Sequence, residues 1–191
     1  GEFDRAIATH EALLPLLDGE RERKRLGSVV YPSVGVRAFL GSSLIHIGAL
    51  DAAERHLTAG RRIADAMRHP YSLVMVNYSF GNLLLRRGEA AAATATFAAA
   101  LTLCRDNEVH TMLPAIVADL GLARAMNGEL PAAIALLEDA LAQRIYRTGG
   151  KYTQFFLLHA AGRAYLVAGR LVEALERAGE AEAVTLRSGE H

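Results

Sequence analysis

The sequence predicts an all-α protein built as a solenoid of stacked antiparallel helix pairs, and three observations predict it. A pattern Gly-x-apolar-x-x-Ala returns as GEFDRA from Gly1, GALDAA from Gly48, GEAAAA from Gly88 (Ala90 in the apolar slot), GELPAA from Gly128 and GRLVEA from Gly169, at steps of 47, 40, 40 and 41 residues. A fixed period of about 20 to 50 residues marks a stacked architecture. Seven positions before each of the last four motifs stands a second glycine: Gly41, Gly81, Gly121 and Gly162. Ahead of the turn glycines, apolar residues recur four apart, as in Val36, Leu40 and Leu44 or Val76, Phe80 and Leu84, the spacing of one helical face.

The elements follow in order. α1 (4–17) opens after Gly1 and has no helix before it to complete its pair. The segment 18–33, with the alternating charges of GERERKR, predicts a solvated extension of α1 and a loop closed at Pro32. α2 (35–47) ends at Gly48, where a helix C-terminus takes a left-handed residue and glycine does so without a Cβ penalty. The same logic ends α4 (71–87) at Gly88, α6 (112–127) at Gly128 and α8 (152–168) at Gly169. The helices after these turns are α3 (51–66), α5 (91–105), α7 (131–145) and α9 (171–186). They begin with acidic or capping residues, and α7 with Pro131, whose missing N–H is no loss in a first turn. The inner glycines are unfavourable by about 1 kcal/mol relative to Ala unless close packing compensates. The expectation is that the motif alanines Ala6, Ala53, Ala93, Ala133 and Ala174 are the small partners that let the second helix approach. Glu138 is placed on the exposed face of α7.

Residues 1–191 thus form one repeat domain: a half repeat 1–34 and repeats at about 35–70, 71–109, 110–149 and 150–191. Beginning at a turn glycine without an initiator Met, the chain reads as a fragment of a longer protein. Phe3, Ile7, Leu13 and Leu14 of α1 would then lack part of their cover, which predicts a homodimer through this N-terminal helix. The outer residues of α9, namely Glu173, Glu176, Arg177 and Glu180, are charged and press less for cover.

Composition narrows the function. Lys+Arg 21 balances Asp+Glu 21, leaving no excess positive charge to neutralise phosphates, so no nucleic-acid partner is expected. The uncharged run 90–104 holds 15 residues of mostly Ala and Thr, and the run 69–85 holds 17, several of them polar, both short of the roughly 20 apolar residues of a membrane span. No membrane association is expected. The single Cys104 and the lack of a signal peptide fit the cytoplasm. No phosphate-cradling G-x-x-x-x-G-K-[ST] run and no G-x-S-x-G elbow occur, and the seven histidines are scattered singly. No cofactor, metal or catalytic residue is expected.

These residues resemble the tetratricopeptide repeat, whose pattern runs L-G-x2-Y, a turn glycine, then A-x3-F. The best-fitting unit has Phe80-Gly81, Leu84, Gly88 and Ala93 to Phe97, and the last has Gly162, Tyr165, Gly169 and Ala174. Departures are Arg37, Asn77, Val117 and Leu158 where the family opens with an aromatic, Arg124 where it has Tyr, and the period of 40. The resemblance implies a right-handed superhelix whose concave wall, formed by the first helix of each pair, binds a protein or peptide partner or another domain of the parent chain. Mapped onto this sequence, the family's groove positions are Ser42, Ile45 and His46 in α2, Met75, Tyr78, Asn82, Leu85 and Arg86 in α4, Leu122 and Met126 in α6, and Phe156, His159, Arg163 and Leu166 in α8. Phrases such as PSVGVRAFLGSSLIHIGALDAAERHL and HPYSLVMVNYSFGNLLLRRGE, with 19 Arg against Lys24 and Lys151, resemble the C-terminal repeat regions of bacterial signalling proteins. Those include adenylate cyclases fused to AAA-type ATPases and activators of the maltose-regulon type. The resemblance implies a regulatory interaction scaffold, or alternatively an inducer-sensing region of an ATPase-linked regulator.

Overall fold

The computed structural model describes residues 1–148 and 153–187, and every described regular element is helical. The observed helices are α1 (Glu2–Leu13), α2 (Pro32–His46), α3 (Leu50–Met67), α4 (Pro70–Arg86), α5 (Ala90–Asp106), α6 (Leu113–Met126), α7 (Leu130–Ala142), α8 (Thr153–Val167) and α9 (Leu171–Arg187). They divide into two compact units, Gly1–Glu89 and Ala90–His191. In the first, α1 packs on α2, α2 on α3 and α4, and α3 on α4. In the second, α6 packs on α5, α7 and α8, and α8 packs on α7 and α9.

The turn glycines behave as expected. Gly48, Gly88, Gly128 and Gly169 have φ of +80°, +79°, +83° and +72°. After each, the next backbone N–H reaches back five residues: Ala49 to Leu44, Glu89 to Leu84, Glu129 to Arg124 and Arg170 to Tyr165, all at 2.9 Å. This bond is the signature of a helix end closed by a left-handed residue. Side-chain caps are missing at the starts of α3 and α7, whose N-cap residues are Ala49 and Glu129.

Gly162 faces the motif alanine Ala174, whose carbonyl would stand 3.5 Å from an added Cβ, but Gly41 and Gly121 have different partners from those expected. A Cβ on Gly41 would stand 2.6 and 2.7 Å from Leu57, and one on Gly121 would stand 2.5 to 2.7 Å from three atoms of Leu137. Each glycine is therefore a hole for a leucine knob sixteen residues on, and the buried Ala53 and Ala133 flank that knob one turn earlier. Around the first hole Leu40, Leu44, Ile45, Leu57 and Leu83 form a core, with Ile7 of α1 and Leu14 just after it packed against it. Phe3 and Leu13 stay 46 % and 37 % exposed.

The segment after α1 also departs from expectation. Pro15 ends the α-helix, because its ring displaces the carbonyl four residues back, and short 3-10 turns occupy Leu14–Leu17 and Gly19–Arg23. The charged run is exposed as expected except at the half-buried Glu22, and a few contacts fasten it to the helices. The Ser33 hydroxyl donates to the Glu22 carbonyl at 2.7 Å, Arg62 meets Glu22 at 3.5 Å, and Arg37 meets Asp18 at 3.4 Å. Glu138 is not a bystander either: it accepts from Arg177 of α9 at 3.0 and 3.1 Å.

A histidine joins the starts of α2 and α4. His69 caps α4, its Nδ1 accepting the Ser72 N–H at 3.3 Å. The buried Ser72 hydroxyl accepts the Tyr31 N–H at 3.2 Å, and the Tyr31 ring stands edge-on to His69 at 5.2 Å. Only the neutral ring can accept, and burial followed by the charge of Arg25 lowers the His69 pKa below 6.5. With the folded value depressed, stability is present above the unfolded pKa and falls as pH drops through about 6.5 and below. His69→Asn, which still caps, is expected to lose less between pH 7 and 5 than the wild type in denaturant melts. His69→Ala is expected to cost about 1 kcal/mol at pH 7.5.

Candidate functional site

In the first unit the expected face is assembled by α2 and α4. The Ser42 and Ser79 hydroxyls lie 3.4 Å apart across the two helices. His46 Nδ1 donates to the Ser42 carbonyl at 2.8 Å, and its ring lies stacked on Phe3 of α1 at 4.8 Å. Met75 and Tyr78 are half-buried on α4, and Arg86 is exposed at its end. Asn82 donates its amide to the Tyr78 carbonyl at 3.2 Å, which leaves its side-chain oxygen to accept. Ile45 does not belong to this face: it is 4 % exposed, in the core.

In the second unit the expected residues separate. Leu122 is half-buried and Met126 exposed on α6, and Phe156 is exposed on α8. His159, Arg163 and Leu166 instead line a groove of about 930 Å³ between α8 and α9, with Phe155, Leu171 and Leu175. The Phe155 and His159 rings stack at 5.9 Å, and Phe155 meets Phe156 edge-on at 6.0 Å. Desolvation in this company, then the charge of Arg163, lowers the His159 pKa and keeps the ring neutral at pH 7. The α9 side of the groove was not expected from sequence. Its signal was there in the spacing Leu171, Leu175, Ala178, overshadowed by the charges on the other faces of the helix.

The chemistry offered is recognition. Asn82 and Arg86 supply amide and guanidinium groups beside the apolar Met75 and Tyr78, and Arg163 does so beside Phe155 and Leu166. Burial pushes the Cys104 thiol to about 11, so at neutral pH it is the protonated, non-nucleophilic form. Among the described residues no group of three His, Cys, Asp or Glu could hold a metal, and no helix is long and apolar enough to cross a membrane.

This arrangement of glycine-turned helix pairs is the tetratricopeptide-type fold, and the solved structures it matches agree. A Podosopora anserina chain named after kinesin light chain, with nearly identical TPR-like repeats, matches at TM-score 0.65 and 18 % identity over 98 % of this chain and 89 % of that one. A variant form of those repeats matches at TM-score 0.67, also 18 % identical, over 99 % and 89 %. No protein-family model matches the chain, and no curated protein matches it. These findings define the class by its fold alone, a TPR-like repeat array.

Proposed function

We propose that the chain is an interaction scaffold that holds a protein or peptide partner, or another domain of its parent chain, against the face made by its α2 and α4 helices. In this reading it is the regulatory repeat region of a larger bacterial signalling protein in the cytoplasm. The carrying observation is the α4 surface, where Met75 and Tyr78 give apolar contact beside Asn82 and Arg86, the mixture that anchors a peptide. Guanidinium and amide groups one turn apart suit a partner carboxylate or backbone carbonyl. The bacterial signalling context is supported by the sequence phrases and the Arg bias. An inducer-sensing role would call for an enclosed apolar pocket with convergent polar groups, whereas the groove in the second unit opens to solvent.

A photo-crosslinking residue in place of Tyr78 is expected to capture a partner in cells, and one in place of the exposed Thr102 is not. Asn82→Ala combined with Arg86→Ala is expected to weaken that partner about 30-fold or more at unchanged helicity. Undiminished capture by the double variant would move the site off α4.

A further inference from the structure

We infer that two copies of this chain associate through their α8/α9 faces, laid antiparallel about a two-fold axis level with Ala178. In the hairpins before it, the corresponding face is covered by a helix: α4 lies on α2/α3, and α8 on α6/α7. Ile45 and Ala125 stand three residues before their turn glycines, as Leu166 does, and are 4 % and 2 % exposed where Leu166 is 58 % exposed. Along α9, Leu171, Leu175 and Leu186 are 60 %, 73 % and 58 % exposed. This apolar surface is larger than the one at α1, where Ile7 and the following Leu14 already pack against the core.

The order of residues selects a second copy as the occupant. Leu171, Leu175, Ala178, Glu182 and Leu186 follow one another at three- or four-residue steps, so they form one stripe of the helix. Read from either end, that stripe begins with a leucine and has its smallest residue at the centre. Ala178 occupies the position that holds the knobs Leu57 and Leu137 in other repeats, and with Gly162, Ala174 and Gly179 it lets another helix come close.

Charge fits the same geometry. At about 1.5 Å per residue, Arg163 lies roughly 6 Å back from the Gly169 turn along α8, and Glu182 roughly 16 Å out along α9. Both line the groove, at different levels, and the midpoint between them is the level of Ala178. An antiparallel mate therefore brings Arg163 of each copy to Glu182 of the other and Leu171 to Leu186. Three other charges of α9 are engaged within the chain: Glu173 with Arg170, Arg177 with Glu138, and Glu180 with Arg177. A closed, self-complementary contact of this kind stops at two copies.

Light scattering on the 191-residue chain, up to several hundred micromolar, is expected to give twice the 20.5 kDa chain mass. Leu175→Glu, at a site too exposed to disturb folding, is expected to give the monomer mass with unchanged helicity. Arg163→Glu or Glu182→Arg alone is expected to weaken association about tenfold, and the two together in one chain to restore it. A monomer at every concentration would overturn the inference. So would a dimer that survives Leu175→Glu, or one dispersed by Leu13→Glu, which would put the contact on α1.

Discussion

Gly121→Ala is expected to destabilise the protein by about 1 to 3 kcal/mol and Gly41→Ala by a similar amount, while Gly162→Ala, at the same place in the repeat, is expected to stabilise it by about 0.5 to 1 kcal/mol. The opposite signs follow from the partner helix. An added methyl on Gly121 would meet the γ and both δ carbons of Leu137 at 2.5 to 2.7 Å, and Leu137 is fully buried with nowhere to turn. On Gly162 the same methyl would find the Ala174 carbonyl at 3.5 Å and Arg177 Cβ at 3.6 Å, ordinary contact. There only the helix-propensity gain over glycine remains. Combining Gly121→Ala with Leu137→Ala is expected to cost less than the sum of the single changes, because the knob and the filled hole compete for one volume. Chemical denaturation midpoints decide it, and three shifts of the same sign would refute the knob-and-hole assignment.

The repeat and its turns were legible because they rest on local chemistry: a glycine with positive φ is required wherever the first helix of a pair ends, and the period exposes it. Gly41 and Gly121 were legible as close approaches, but their partner was not. Which side chain fills a hole depends on how far one helix slides along the next, and nothing local to Gly121 distinguishes Ala133 from Leu137. The Glu138–Arg177 pair joins residues 39 apart in sequence, and helix periodicity alone placed Glu138 in solvent. Pro15 was a readable stop for α1, outweighed by the apolar residues around it. Of the candidate face, the α4 residues Met75, Tyr78, Asn82 and Arg86 fall where the repeat register puts them. His159 and Arg163 follow the same register, yet they line a groove with α9, because the smaller Ala178 replaces the bulky knob at that hole.

Phe97→Ala is expected to cost about 3 to 5 kcal/mol, the largest loss from any single truncation in the chain. Phe97 lies on α5 of the second unit, and it is the largest fully buried side chain described. Removing the ring forfeits its transfer from water and leaves a cavity that surrounding α-helices, held by their own backbone bonds, close only in part. Leu57→Ala and Leu137→Ala are expected to cost about 2 to 5 kcal/mol each by the same mechanism. The last repeat already carries the truncated version at Ala178, which is exposed, so Ala178→Leu is expected to leave stability within about 0.5 kcal/mol. Urea melts would show the Phe97→Ala midpoint falling furthest with the slope preserved. A loss below about 1 kcal/mol would mean that the ring is not a packed core side chain of its unit.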